Sequence, residues 1–256
     1  MKVFKFLVIF ICIAAAIGFV ITAALIIKEG MNDIMINDNV NSLSHNVKYK
    51  NPANINYVPL IKQKINCGYA CIEMLSEYLG GNGALTEESL FEGNNGKITT
   101  VTSNGLYAEI KKQFPEHKVT HYKNLKNSEL INRIYESVSN GMPVIFSFAS
   151  VDMSLDETTD APSDWTLNYG IVSGIDLPND EITVINPYGY VETYSMNDFL
   201  RATRFESYEE MEFYLKLGFA VGMYSKNTIY ILEEKSDYAT DDKNNINEEN
   251  AEIPAQ

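Results

Sequence analysis

The hydrophobic pattern divides the chain into an apolar start, a polar segment, a long periodic region and an acidic end. Within residues 1–28, Phe6–Ile27 is apolar and uncharged, which is long enough for a helix that crosses a bilayer, since this takes about 20 residues. Residues 29–56 are rich in Asn, Asp and Ser and lack periodicity, which predicts a polar linker. Residues 233–256 are acidic with few apolar positions, which predicts a disordered tail. The remaining region, 57–232, is predicted to form one folded domain.

The domain begins with helical periodicity and continues with strands. Its first predicted helix follows Asn66, a good N-cap, and ends before Gly80. The apolar residues of this helix recur at helical spacing, at Ala70, Cys71, Met74, Leu75 and Leu79. Later segments read as strands, namely Pro143–Phe148, Leu167–Ile175 and Glu181–Asn186, and a hairpin is predicted around Lys226–Asn227. Helices followed by a run of strands indicate an α+β arrangement.

Cys67 is the first candidate for chemistry, because it lies in the first turn of the predicted helix. Free backbone N–H groups and the helix dipole at this position favour the thiolate, which is the nucleophilic form, whereas burial in an apolar cleft would raise the thiol pKa. Gln63, just upstream, can offer its amide N–H₂ group to a developing oxyanion. A cysteine at a buried helix start is also a common apolar filler, so the pattern alone leaves both interpretations open.

The order of residues in this segment favours the nucleophile over the apolar filler for Cys67. Gln63, a short gap, then Asn-Cys-Gly-x-Ala-Cys-x-x-Met-Leu resembles the nucleophile segment of the C39 and C39-like peptidases, and the later stretch NGMPVIFSF resembles the same family. The resemblance covers most of Val58–Leu200. It implies a papain-like cysteine peptidase fold, in which the nucleophile helix packs on an antiparallel sheet. It also implies that Cys67 is the nucleophile and that Gln63 lines the oxyanion hole, although Gln63 stands closer to the cysteine than is usual in the family.

The same resemblance shows a departure at the catalytic base. The family's His position falls on Asn168, and its orienting Asp falls on Asn186. Asparagine has no titratable proton and cannot act as a general base, whereas papain-like peptidases can orient their His through an Asn. No His follows His121. We expect the side chains of Cys67, Asn168 and Asn186 to meet in one groove, with Gln63 nearby.

Three interpretations of function remain. The first is a catalytically impaired relative that keeps the cleft and binds a peptide or protein. The second is an active cysteine peptidase with an unusual base, such as Asp164, Asp176 or a His of the His117–His121 strand, whose two His residues are expected at the surface. The third is a purely structural surface domain.

Charge and composition limit the classes of partner and cofactor that the protein is expected to bind. The net charge of −14 argues against nucleic acid. The three Cys residues form neither a disulfide framework nor a metal pair, and the three His residues form no metal-ligand pattern. The sequence therefore predicts no cofactor and no metal, and it predicts a peptide or protein ligand in the cleft.

The N-terminal segment indicates that the protein lies in the cell membrane and crosses it once. Lys2 and Lys5 precede the apolar run and only Lys28–Glu29 follows it, which places the N-terminus in the cytoplasm and the domain outside. A cleaved secretory signal is the alternative, because Ala14–Ala16 and Thr22–Ala24 offer small residues. Signal h-regions are shorter, about 7–15 residues, which favours an uncleaved anchor over secretion.

Overall fold

A computed structural model describes residues 2–150, 166–206 and 211–235, with side chains from residue 9 onward. The helices in these residues are α1 (Lys2–Ile36), α2 (Cys67–Tyr78), α3 (Glu87–Gly93), α4 (Ser103–Gln113), α5 (Asn127–Ser139), α6 (Met196–Thr203) and α7 (Phe213–Ala220). The strands are β1 (Ala53–Asn54), β2 (His117–Tyr122), β3 (Val144–Ala149), β4 (Leu167–Asp176), β5 (Glu181–Asn186), β6 (Tyr190–Ser195) and β7 (Ile229–Glu234).

The strands form one antiparallel sheet in the order β2-β7-β3-β4-β5-β6, and β1 pairs with the far end of β4. The central strand β4 pairs with β3 through Ile145↔Ile171 and with β5 through Ile171↔Ile185. Every residue of β3 is buried, as expected for an inner strand with both faces covered. The sheet is therefore the layer on which both sets of helices pack.

Two apolar clusters cover opposite faces of the sheet. One joins residues of α2, α3 and α4 to the strands and contains Tyr69, Met74, Leu75, Leu106, Tyr169, Ile171 and Tyr230. The other joins α5 and α6 to the strands and contains Leu130, Ile131, Phe146, Phe148, Val172 and Phe199. The predicted α+β class, with the Cys67 helix packed on an antiparallel sheet, is confirmed.

The segment predicted as a polar linker, 29–56, is packed on the domain. α1 continues through Ile36, two 3₁₀ turns follow, and β1 pairs with β4. Tyr49 is 4% exposed, donates a hydrogen bond to Asn132 Oδ1 at 2.6 Å and packs edge-on against Tyr135. A few well-spaced apolar side chains are enough to hold a polar segment in place, because each fills a site on α5 or the sheet.

The end of the domain differs from the predicted hairpin. α7 occupies Phe213–Ala220, and β7 pairs with β2 and β3 instead of with a strand at residues 220–224. The helix forms because Phe219 packs into a small cluster with Phe205 and Met211. The predicted tail beyond residue 235 and the loop that contains Asp164 lie outside the described residues.

Among the described residues, α1 is the helix long and apolar enough to cross a membrane, over Ile9–Ile36. Its apolar side chains are exposed, with Phe10 at 71%, Phe19 at 75% and Val20 at 64%. A membrane anchor and a signal sequence share this pattern, and large exposed apolar surfaces of this kind normally have a partner.

Candidate active site around Cys67

Local capping places Cys67 at the first position of α2. Asn66 adopts an extended backbone, and its Oδ1 accepts a hydrogen bond from the Gly68 backbone N–H at 2.9 Å. Thr100 Oγ1 donates to the same Oδ1 at 2.5 Å. This fixes the cap from both sides, so the helix begins at the cysteine, as the sequence predicts.

A buried carboxylate holds the turn that leads into the helix. Glu87, 1% exposed at the start of α3, accepts hydrogen bonds from the backbone N–H groups of Lys64, Ile65 and Asn66 at 2.9, 2.8 and 3.0 Å. The sequence pattern did not single out Glu87. Its only local signal is the acidic first turn of α3, which is typical of many helices.

Burial sets the protonation state of Cys67. The side chain is 8% exposed, and loss of solvent raises the thiol pKa to about 11. Hydrogen bonds from the backbone N–H groups of Tyr169, Gly68 and Cys67 itself act in the opposite direction, and the Glu87 carboxylate adds to the rise. The thiolate-favouring effect of the helix N-terminus is therefore outweighed, and Cys67 is a neutral thiol near pH 7.

Asn168 lies on β4, one residue before the strand residue whose backbone contacts Cys67. It precedes Tyr169, whose backbone N–H hydrogen bonds the Cys67 sulfur, and it is 4% exposed. Its side chain is held elsewhere, since Nδ2 donates to Thr166 Oγ1 at 2.8 Å and Oδ1 accepts from Tyr188 OH at 3.2 Å. The Tyr169 side chain, not that of Asn168, shares the apolar cluster of Cys67.

Asn186 and Gln63 meet at the turn after β5. Asn186 is fully buried, its Oδ1 accepts from the Tyr188 backbone N–H at 3.1 Å, and its Nδ2 has no partner among the described residues. The Gln63 backbone N–H donates to Pro187 O at 2.7 Å. The Gln63 side-chain Oε1 is buried and also lacks a partner in the described part of the chain.

Tyr188 connects the predicted site residues. Its hydroxyl donates a hydrogen bond to Asn168 Oδ1, and its backbone N–H donates a hydrogen bond to Asn186 Oδ1. Burial raises the pKa of Tyr188, and the nearby Cys67 contributes to the rise. Cys67, Asn168, Asn186 and Gln63 thus surround one end of β4 and β5, linked through Tyr188 and the Tyr169 backbone. Cys67, Asn168 and Asn186 expose 8%, 4% and 0%, so all three side chains are buried.

Similarity to known proteins is found for a family model and for a solved structure. The family model for the peptidase C39-like family matches residues 55–216, which is more than half of the chain. The chain belongs to the peptidase C39-like family. A Bacillus anthracis crystal structure assigned to the C39-like peptidases is 14% identical, covers 73% of this chain and 99% of its own, and superposes with a TM-score of 0.48. No curated protein matches the chain.

Of the other candidate bases, Asp176 lies away from Cys67 of this C39-like domain. Asp176 closes the opposite end of β4, where it bonds Asn179; eight residues of strand separate it from Asn168, about 26 Å. Asp164 lies outside the described residues. Among these residues, no group of three or more His, Cys, Asp or Glu side chains could hold a metal ion.

The two histidines of β2 were expected at the surface, but each of them packs against an aromatic ring. His121 stacks on Tyr230, with ring centroids 4.4 Å apart, and also contacts Tyr107. Burial, with a smaller contribution from Lys123, lowers its pKa to about 3. Tyr230 and Tyr169 stand between His121 and Cys67 in the C39-like core, since their rings are 6.2 Å apart and Tyr169 contacts the cysteine. His117 packs edge-on against Phe114 at the other end of the strand.

Proposed function

We propose that this chain is a membrane-anchored, extracytoplasmic C39-like domain that has lost efficient peptidase activity and binds a peptide or protein segment. The observation that carries the proposal is the surroundings of Cys67. Its thiol is buried, its pKa is raised to about 11, and the position of the family's His, one residue before Tyr169, holds Asn168, which cannot take up a proton.

The chemistry of thiol peptidases explains why a raised thiol pKa and a missing base prevent efficient cleavage. A base must remove the thiol proton and later protonate the leaving amine. With a pKa of about 11, only about one Cys67 in 10⁴ is ionised at pH 7. His121, with its pKa lowered to about 3, is too weak a base to hold that proton, and two tyrosine rings separate it from the sulfur.

Binding is supported by two unpartnered polar groups at the turn after β5. Gln63 Oε1 can accept a hydrogen bond and Asn186 Nδ2 can donate one, and both are buried without a partner among the described residues. A buried polar group without a partner costs about 1–3 kcal/mol. A peptide backbone carries both a donor and an acceptor, so a peptide segment that reaches this turn would satisfy both groups.

Anchoring is supported by α1. Its apolar side chains are exposed over several turns, and Lys2 and Lys5 precede them, which favours a cytoplasmic N-terminus.

The test is a comparison of full-length variants in detergent. A Cys12→Ser background removes the exposed cysteine of α1, and Cys71 is fully buried, so an alkylating probe reports on Cys67. We compare this background with added Asn168→His or Cys67→Ala, and with Asn179→His as a matched control in an exposed turn. Each variant is also incubated with a peptide library to measure binding and cleavage.

We expect slow alkylation, peptide binding and no efficient cleavage for the unmutated site. Asn168→His should raise the alkylation rate at neutral pH by about 10²-fold or more, because general acid–base assistance is typically worth about 10²–10⁴-fold, and Asn179→His should not. Efficient cleavage that disappears with Cys67→Ala would show that another base exists. Absence of both binding and cleavage would favour a structural surface domain.

A further inference from the structure

α7 is apolar on both of its faces. Gly218 and Phe219 are buried, and Phe219 packs against Phe205 and Met211. The opposite face has no such cover, since Phe213, Tyr214, Leu217 and Val221 are 62%, 68%, 37% and 55% exposed. A helix that is apolar all round is normally enclosed on all sides. Lys216 is the only charged residue in this helix.

The exposed surface continues beyond α7. Met223, 45% exposed, follows α7, and its carbonyl accepts the backbone N–H of Ser103, two residues after Val101, which is 52% exposed. Contiguous apolar surface of this kind marks a site of interaction with a protein or a membrane. We call the set Phe213, Tyr214, Leu217, Val221, Met223 and Val101 the α7 surface.

The position of α1 identifies the partner. The last turns of α1 are fixed to the domain, since Lys226 Nζ contacts Asp33 Oδ1 at 3.0 Å and Arg204 hydrogen bonds Asn37. Asp33 lies six residues after the end of the apolar run at Ile27, which is about 9 Å along a helix. The domain is therefore held within about two helical turns of the apolar run.

α7 packs against α1 at this same level. A cavity of about 580 Å³ lies between them, and its walls include Ala24, Leu25 and Ile27 of α1 together with Ala220 and Val221 at the end of α7. Residues of the apolar run and residues at the end of α7 thus line one space. If the run lies in a bilayer, the end of α7 lies at the bilayer surface.

We propose that the α7 surface inserts into the interfacial layer of the same bilayer that α1 crosses. This inference rests on the membrane anchoring proposed above. α1 then supplies the attachment, and the α7 surface fixes the tilt and height of the C39-like domain over the lipid. Apolar and aromatic side chains suit the boundary between headgroups and acyl chains, and the net charge of −14 points to a neutral lipid surface.

The experiment uses tryptophan fluorescence of the full chain in phosphatidylcholine vesicles. Trp165 is the only tryptophan, so a Trp165→Phe background carries one new probe, Phe213→Trp in the α7 surface. The control probe is Val191→Trp, which replaces an apolar side chain of similar exposure, 56%, on the edge strand β6. Vesicles that contain lipids brominated on the acyl chain quench only tryptophans that reach the bilayer, and flotation of the vesicles reports anchoring independently.

We expect the chain to float with the vesicles and the Phe213→Trp probe to be quenched at least about twofold, with little quenching at Val191→Trp. Flotation with equal, weak quenching of both probes would overturn the role of the α7 surface and leave the anchor intact. Flotation with cross-linked dimers through the α7 surface and no quenching would assign the surface to a second copy of the chain. Failure to float would overturn the anchor and, with it, this inference.

Discussion

The carboxylate of Glu87 should control the stability of the turn that carries Gln63 and Cys67. Glu87 Oε1 accepts from the Lys64 N–H, and Oε2 accepts from the N–H groups of Ile65 and Asn66. Glu87→Ala removes all three hydrogen bonds at once and leaves the backbone donors beside an apolar gap. Gln is expected to be a poor replacement, because its amide N–H₂ group would face backbone donors.

The structure allows the magnitude to be worked out. A hydrogen bond to a charged group contributes about 1.5–3 kcal/mol, and an unmade one in a buried position costs about 1–3 kcal/mol. Lys64 is exposed, so water can replace part of the loss there. We therefore expect Glu87→Ala to lower the free energy of unfolding by about 3–5 kcal/mol, a large share of the 5–15 kcal/mol typical of a whole domain.

The assay is thermal unfolding of the full chain in detergent, where such a loss lowers Tm by roughly 10 °C. The matched control is Glu88→Ala, the next residue, whose carboxylate is exposed and pairs with Lys64 Nζ at 3.1 Å. This surface pair is screened by solvent, so its loss should leave Tm almost unchanged. Equal, small shifts for both variants would refute the reasoning, because they would mean that the three backbone hydrogen bonds to Glu87 are replaced by water without cost.

Four further outcomes are expected. The alkylation rate of Cys67, whose pKa is raised to about 11, should rise about tenfold per pH unit well above pH 9; a plateau near pH 8.5–9 would contradict the burial argument. Burial lowers the His121 pKa to about 3, so its contribution to stability is complete above about pH 6.5 and is lost as pH falls toward 3; His121→Phe should remove this part of the acid dependence of Tm. Gly105→Ala should destabilise the fold, because its Cβ would lie 2.0 Å from Thr99 O, whereas Gly93→Ala meets nothing within 4 Å and should not; similar Tm values would show that α4 shifts without cost. Protease treatment of intact cells should remove the folded domain, and protection would overturn the proposed topology.

Much of the local structure around the site could be predicted from short-range patterns. Asn66 caps α2, Cys67 is its first residue, and β5 ends at Asn186, all as predicted. These features depend on capping, periodicity and turn residues, which act over a few positions and are therefore visible in the sequence. The family resemblance, carried by the same segments, is confirmed by the match over residues 55–216.

Contacts between residues that are far apart in the sequence could not be predicted from short-range patterns. Glu87 reaches back 21 residues to Asn66, and Tyr188 reaches Asn168 across 20 residues. The polar segment 29–56 packs on the domain through side chains such as Tyr49, and β7 pairs with the distant strands β2 and β3 instead of forming a hairpin with residues 220–224. In each case the choice depends on which surfaces the fold brings together, not on local propensity.

The protonation of Cys67 shows most clearly what the sequence determines and what only the tertiary structure determines. The sequence places the thiol at a helix N-terminus, where backbone N–H groups lower its pKa, and the structure keeps those hydrogen bonds. Only the tertiary structure determines how much water reaches the sulfur. With 8% exposure, the loss of solvation of the thiolate exceeds the stabilisation by the N–H groups, so the pKa rises instead of falling.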